Sequence, residues 1–273
     1  MRVPGQIAAA LVVCLGAAEQ AGAEPVRLAP HRAVYDLSLG SSRGAKVVDS
    51  ARGRIVFDFT GDACEGYALK YRQVTVIESS ETGTKTSDLR NATFESGDGD
   101  SFRFKTDSTL NGTGNEVDGE AARRADRVEV RLKQPQRASF GIDGDTVFPS
   151  MHLKRLIEAA RAGETTLSIK VFDGSDDGRK MYETLAVIGK ASAGGSDALE
   201  APARQDAMAP LRRWPVSLSY YAPGQGERTP VYVITFDLYE NGVSRSLRLD
   251  YGDFVLKGDL QSLDFYPASA CQR

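Results

Sequence analysis

From His31 onward the chain runs in short stretches of alternating apolar and polar residues, separated by clusters of Gly, Asp, Asn and Ser. A period of two puts one set of side chains on one face, the pattern of antiparallel strands with one buried side. In "RGRIVFDF", Ile55, Phe57 and Phe59 share a face opposite Arg54, Val56 and Asp58. Beyond "GDACEGY", Tyr67, Leu69 and Tyr71 alternate with Lys70 and Arg72, so that turn is predicted to join neighbouring strands. Near the C-terminus Tyr232, Ile234, Phe236 and Leu238 share a face, and Asn241-Gly242 predicts a type I′ hairpin. Val243, Leu247, Leu249 and Tyr251 line the return strand, and a last run carries Leu263 and Phe265 before Cys271.

One segment changes the period. In "FPSMHLKRLIEAARAGE", Leu153, Leu156, Ile157 and Ala160 recur at i, i+3, i+4 and i+7, which predicts a helix over about 150–162. Ser150 is its expected N-cap, and Gly163 is expected to end it in a left-handed conformation. The helix reads as a connector between an N-terminal sheet (about 31–148) and a C-terminal sheet (about 165–271) of one β domain. Ala191 to Pro210, rich in Ala, Gly, Ser and Pro, is expected to be an exposed mobile loop. Thr109 to Asp118 is expected to be a second flexible connection.

The N-terminus alters where this domain is expected to work. Arg2, an apolar run from Ile7 to Ala18 and the small triplet Ala21-Gly22-Ala23 have the anatomy of a secretory signal peptide. Residues 1–23 are therefore expected to be removed, leaving a periplasmic domain over 24–273. The apolar run falls short of the roughly 20 residues of a membrane span. Cys14 lies inside the run rather than at its end, which argues against a lipid anchor. A formal net charge of −3 argues against nucleic-acid binding, and 27 glycines suit a turn-rich β protein.

Of three cysteines, Cys64 and Cys271 would survive cleavage. In an oxidising compartment they have one possible intramolecular bridge, the alternative being two free thiols or a reactive Cys64.

Candidate chemistry is sparse. The chain has two histidines, His31 and His152, and no HExxH or CxxC spacing, so no metal and no cofactor is expected. Both histidines read as capping or surface residues. Gly40-Ser41-Ser42-Arg43-Gly44 formally matches GxSxG, but strand-like residues follow where a nucleophile elbow needs a helix. "DGSDDG" from Asp173 resembles a calcium loop whose twelfth position is Thr184 instead of a bidentate Glu, so it reads as a turn. The sequons at Asn91 and Asn111 read as incidental.

Several long, irregular stretches, among them "HRAVYDLSL", "RGRIVFDFTGDACEGYALKYRQVT", "SDLRNATFESGDGDSFRF" and "FDGSDDGRKMYETLAVIG", resemble the EipB-type cell envelope integrity proteins, which are periplasmic proteins of alphaproteobacteria. The resemblance runs in order from His31 to Cys271. It implies an antiparallel β-spiral of two curved sheets linked by a central helix, and a disulfide between Cys64 and Cys271. It further implies a non-catalytic role in envelope integrity and stress resistance, through contacts with other periplasmic or envelope proteins. The alternative is a carrier or sensor of lipid or another apolar ligand, because curved sheets with aromatic inner faces can enclose a cavity.

Overall fold

The alternating runs become strands. A computed structural model describes residues 24–43, 47–194, 199–224, 226 and 228–268. Among these, fifteen strands hydrogen-bond into one curved sheet. The N-terminal half is an antiparallel meander of β1 (His31–Ser42), β2 (Ser50–Asp62), β3 (Gly66–Ser79), β4 (Gly83–Glu95), β5 (Ser101–Leu110), β6 (Thr113–Arg124), β7 (Arg127–Gln134) and β8 (Ala138–Asp143). A short β9 (Thr146–Val147) leads into α1 (Pro149–Ala162). The second meander follows as β10 (Thr166–Val171), β11 (Tyr182–Ile188), β12 (Arg213–Tyr221), β13 (Tyr232–Tyr239), β14 (Ser244–Asp250) and β15 (Phe254–Phe265).

The architecture is the expected mainly β one, with two curved halves linked by a helix. Pairing of β15 with β1 from His31↔Phe265 to Ser42↔Phe254 makes the hydrogen bonding continuous across both halves. The sheet therefore begins at β8 and ends at β9, and the chain around α1 supplies both edges. One core cluster joins β1–β3, α1 and β11–β15, and a second packs Phe102, Phe104, Phe148 and Phe172. Phe148 stacks on Phe102 at 5.1 Å, so the residue before the helix locks it to β5.

The helix starts differently from the sequence expectation. Phe148 occupies the N-cap and Pro149 the first turn, so Ser150 lies inside the helix. The cap comes from elsewhere in the chain: the backbone N–H groups of Ser150 and Met151 donate to the Glu95 carboxylate at 2.6 and 2.9 Å. An anion at this end is favoured by the orphan N–H groups and the helix dipole. Such a partner arrives through sheet topology, which local spacing does not encode. At the other end Gly163 takes φ 79° as expected, and the Gly163 and Glu164 N–H groups satisfy the Ala160 and Ala159 carbonyls.

Three further expectations are corrected. Thr109–Asp118 is a hairpin: Leu110 pairs with Thr113, and Asn111 and Gly112 both have positive φ (50° and 83°), the type I′ geometry. At Asn241-Gly242, by contrast, Gly242 alone has positive φ, and its N–H donates to the Tyr239 carbonyl while Tyr239 N–H donates to Val243. That is a type I turn closed by a left-handed glycine, selected by a three-residue loop rather than a two-residue one. The segment 191–210 is anchored instead of free. Leu199, Ala203 and Met208 are buried, and a 3₁₀ turn at Ala201–Arg204 lies on β15; residues 195–198 of this segment fall outside the described ones.

Both histidines are buried, contrary to the surface reading. His152 Nε2 lies 3.3 Å from Thr184 Oγ1, which itself donates to the Ile169 carbonyl at 2.8 Å. Burial, helped by nearby Arg155, brings the His152 pKa down to about 4. In the unfolded chain it returns to about 6.5, so the unfolded state binds the extra proton between those values. Stability contributed by neutral His152 is complete above about pH 6.5 and is lost as the pH falls to about 4, an effect of about 3 kcal/mol. Urea titrations from pH 7 to 4.5 are expected to show this loss, and His152→Gln to flatten the profile. An unchanged profile in that variant refutes the assignment.

Candidate functional site

Alternation that buries one face of each strand also aims those side chains into the hollow of the curved sheet. On one wall β1–β3 present His31, Tyr35, Phe57 and Tyr71; on the other β12 and β13 present Leu218, Tyr220, Tyr232 and Ile234. Between them lies a cavity of about 240 Å³. This exceeds the roughly 150 Å³ of an apolar cavity able to hold benzene.

Aromatic rings form a cross-strand row along the second wall. Centroids are 6.0 Å apart for Tyr182–Tyr220, 5.9 Å for Tyr220–Tyr232, 5.2 Å for Tyr232–Tyr251 and 5.1 Å for Tyr251–Phe254. Register explains the row, since Tyr220 pairs directly with Tyr232. Each tyrosine offers an apolar face and a polar tip. The Tyr35 hydroxyl donates to the Ser244 carbonyl at 2.7 Å, and that of Tyr71 to Gln73 Oε1 at 2.5 Å. Gln73 Nε2 in turn donates to Thr75 Oγ1 at 3.2 Å and to the Tyr251 hydroxyl at 3.4 Å. Burial pushes the phenols of Tyr35, Tyr71, Tyr220 and Tyr232 well above their ordinary range, so these hydroxyls keep their protons.

His31 completes the apolar end. Its Nδ1 donates to the Ala29 carbonyl at 2.7 Å and its ring stacks on Phe57 at 5.5 Å. Burial lowers its pKa, outweighing the Ala29 bond and the Asp58 charge, which act the other way. A neutral imidazole therefore faces the cavity.

Tyr71 is also a wall of a second hollow of about 400 Å³, which runs along the inner faces of β3–β5. Its lining is more polar: Asn91, Thr106 and Ser108 from the strands, with Asp173 and Asp176 from the β10–β11 connection. Asn91 Nδ2 donates to Thr106 Oγ1 at 2.8 Å, which gives the sequon asparagine a structural partner. Burial pushes the Asp173 carboxyl up, against hydrogen bonds from Ser175, whose N–H lies at 2.9 Å. For Asp176 burial acts in the same direction but is outweighed by the Tyr182 hydroxyl and Lys180, and its pKa is lowered.

The motifs singled out in the sequence fall elsewhere. Ser42 ends β1 and its Oγ accepts the Val48 N–H at 2.8 Å, a turn contact; residues 44–46 lie outside the described ones. Among the described residues no group of His, Cys, Asp or Glu could hold a metal ion, and the Asp173 turn is no exception. Cys64 sits at the tip of the β2–β3 turn, where the Cys64 and Glu65 N–H groups donate to Asp62 Oδ1 at 2.6 and 2.9 Å. Cys271 and residues 1–23 lie outside the described residues, so the bridge and the signal peptide are not placed here. Tyr71, Tyr232 and Tyr251 were visible in the sequence as members of alternating faces, whereas Tyr35, Tyr182 and Tyr220 were not singled out. That Tyr71 and Tyr220 would meet across one cavity had no local signal.

Among the described residues no helix is long and apolar enough to cross a membrane. The EipB-like family profile matches residues 22–267. Over 253 residues the chain is 36% identical to the cell envelope integrity protein EipB of Brucella abortus (strain 2308), covering 92% of this chain and 88% of that one. A crystal structure of a beta-barrel-like protein of a domain of unknown function, also from Brucella abortus, superposes with a TM-score of 0.82. It is 35% identical and covers 89% of this chain and 100% of its own. This chain belongs to the EipB-like family.

Proposed function

We propose that the protein supports cell-envelope integrity and stress resistance from the periplasm, without catalysis, through binding or structural contacts. The observation that carries this reading is the 36% identity, over 92% of the chain, to a protein named for cell envelope integrity. The leader-like residues 1–23 and the absence of a spanning helix among the described residues agree with export. The proposal includes a disulfide between Cys64 and Cys271, the bridge that an oxidising compartment favours.

A deletion strain tests it. Loss of the gene is expected to sensitise cells to detergent and to cell-wall-directed antibiotics, with rescue by the full chain and not by a version lacking residues 1–23. Unchanged sensitivity refutes the envelope role, and rescue by the leaderless chain refutes the periplasmic one.

The cavity favours a second reading, in which the protein carries or senses an apolar ligand. A hollow of about 240 Å³ walled by Ile55, Phe57, Leu218 and Ile234 is an unfavourable thing for a fold to leave empty. Native mass spectrometry of the protein purified from its own periplasm is expected to show a stoichiometric extractable molecule. A mass equal to the bare chain refutes this second reading.

A further inference from the structure

Within the hollow, polarity is graded. The cavity between β1–β2 and β12–β13 has apolar walls, whereas the adjoining one beyond Tyr71 is lined by Asn91, Thr106, Ser108 and Asp173. The two ends share Tyr71 as a common wall. The Asp173 charge acts on the phenols of both Tyr182 and Tyr220, and Tyr220 belongs to the apolar cavity's wall.

Asp173 is the unusual member of the polar end. Its neighbour Asp176 is paired with Lys180 at 3.0 Å and also accepts the Tyr182 hydroxyl. Asp173 accepts the Ser175 N–H at 2.9 Å, and the like charge of Asp176 acts on it. Half-buried at the wall of the polar hollow, Asp173 forms no ion pair among the described residues, the nearby Lys180 being paired with Asp176. A half-buried carboxylate that has a hydrogen bond but no ion pair gains from a ligand bringing a positive charge to it. The wall thus asks for an apolar body at one end and a cation with N–H donors at the other.

We propose that the two cavities form one binding site for a cationic amphiphile, its apolar tail between β1–β2 and β12–β13 and its protonated amine at Asp173. The site rests on the apolar-ligand reading above and adds the chemistry of the head group. Asn91, Thr106 and Ser108 supply acceptors for the remaining ammonium hydrogens. Tyr71 and Tyr220 stand at the junction, where a tyrosine ring can pack against the tail and also face a cation.

Three probes of equal chain length separate the parts of this idea. Octylamine, 1-octanol and octanoate share an eight-carbon chain and differ in the charge and hydrogen bonding of the head group. Isothermal titration of the full mature protein at pH 7.5 is expected to rank octylamine first, about tenfold tighter than octanol, with octanoate weakest. Asp173→Asn keeps the turn, because an asparagine oxygen can still accept the Ser175 N–H. It is expected to bring octylamine to within about twofold of octanol and leave octanol unchanged, which also shows that the variant is folded. Ile234→Phe narrows the tail cavity and is expected to weaken all three probes while their order persists. Equal binding of the three probes, or an amine preference that survives Asp173→Asn, overturns the head-group assignment and leaves the apolar site standing. Binding of none of them to the wild-type protein overturns the apolar reading as well.

Discussion

Cys64→Ser and Cys271→Ser are each expected to lower the unfolding free energy by a similar amount, about 3–5 kcal/mol, and the double variant by no more than either alone. The proposed bridge closes nearly the whole mature chain into one loop, and a loop of that length removes much of the denatured chain's freedom. The strand register makes the closure reachable. Phe265 pairs with His31 and His31 with Phe59, so β15 leaves the sheet at the rim that carries the Cys64 turn. Cys271 lies six positions beyond Phe265, a reach of about 20 Å when extended. The turn is a fixed anchor: a Cβ on Gly97 would lie 2.0 Å from the Ala63 carbonyl, so the β4–β5 loop packs directly against it. Chemical denaturation with and without dithiothreitol measures the effect, and reductant should bring the wild type down to the level of the variants. Additive losses, or a wild type indifferent to reductant, refute the pairing.

Arg245→Met is expected to cost a comparable 3–5 kcal/mol, because it strips the cation from a buried ionic group. Arg245 on β14 is 10% exposed; it binds Glu200 through Nε and Asp237 through Nη1, the latter at 2.6 Å. Glu200 also accepts the Ser246 N–H at 3.1 Å, so the group fastens the 191–210 segment to β14. Removing the arginine leaves two carboxylates close together with little water, whereas replacing all three charges removes the repulsion as well. The triple variant Glu200→Gln, Asp237→Asn, Arg245→Met is therefore expected to be more stable than Arg245→Met alone. Thermal and urea denaturation of both variants decide this, and a triple variant at or below the single one in stability refutes the explanation. Hydrogen exchange in the segment should rise in Arg245→Met if the strap holds it.

These effects belong to contacts distant in sequence, and that distance separates what was legible from what was not. Phe57 and Phe59, Tyr232 and Ile234 declared their inward face through alternation, a signal each strand carries by itself. Gly163 declared the end of α1, because a left-handed terminus is a local requirement. Ser150 pointed to the wrong cap, since the Glu95 carboxylate that does the work comes from β4. His31 and His152 looked like surface residues for the same reason. Polarity is read along the chain, but burial is decided by what lands on top.

By itself the amino-acid order determined the strand periods, the position of α1, the scarcity of metal-binding side chains and the family resemblance. All of these depend on residues a few positions apart or on composition. Tertiary structure decided that β15 returns to β1, that segment 191–210 is strapped down by Arg245, and that Tyr71 meets Tyr220 across one hollow and lines the next one with Asp173. Strand partners are chosen by how a whole sheet curves and closes, so the residues facing each other across it become neighbours only once the chain has folded.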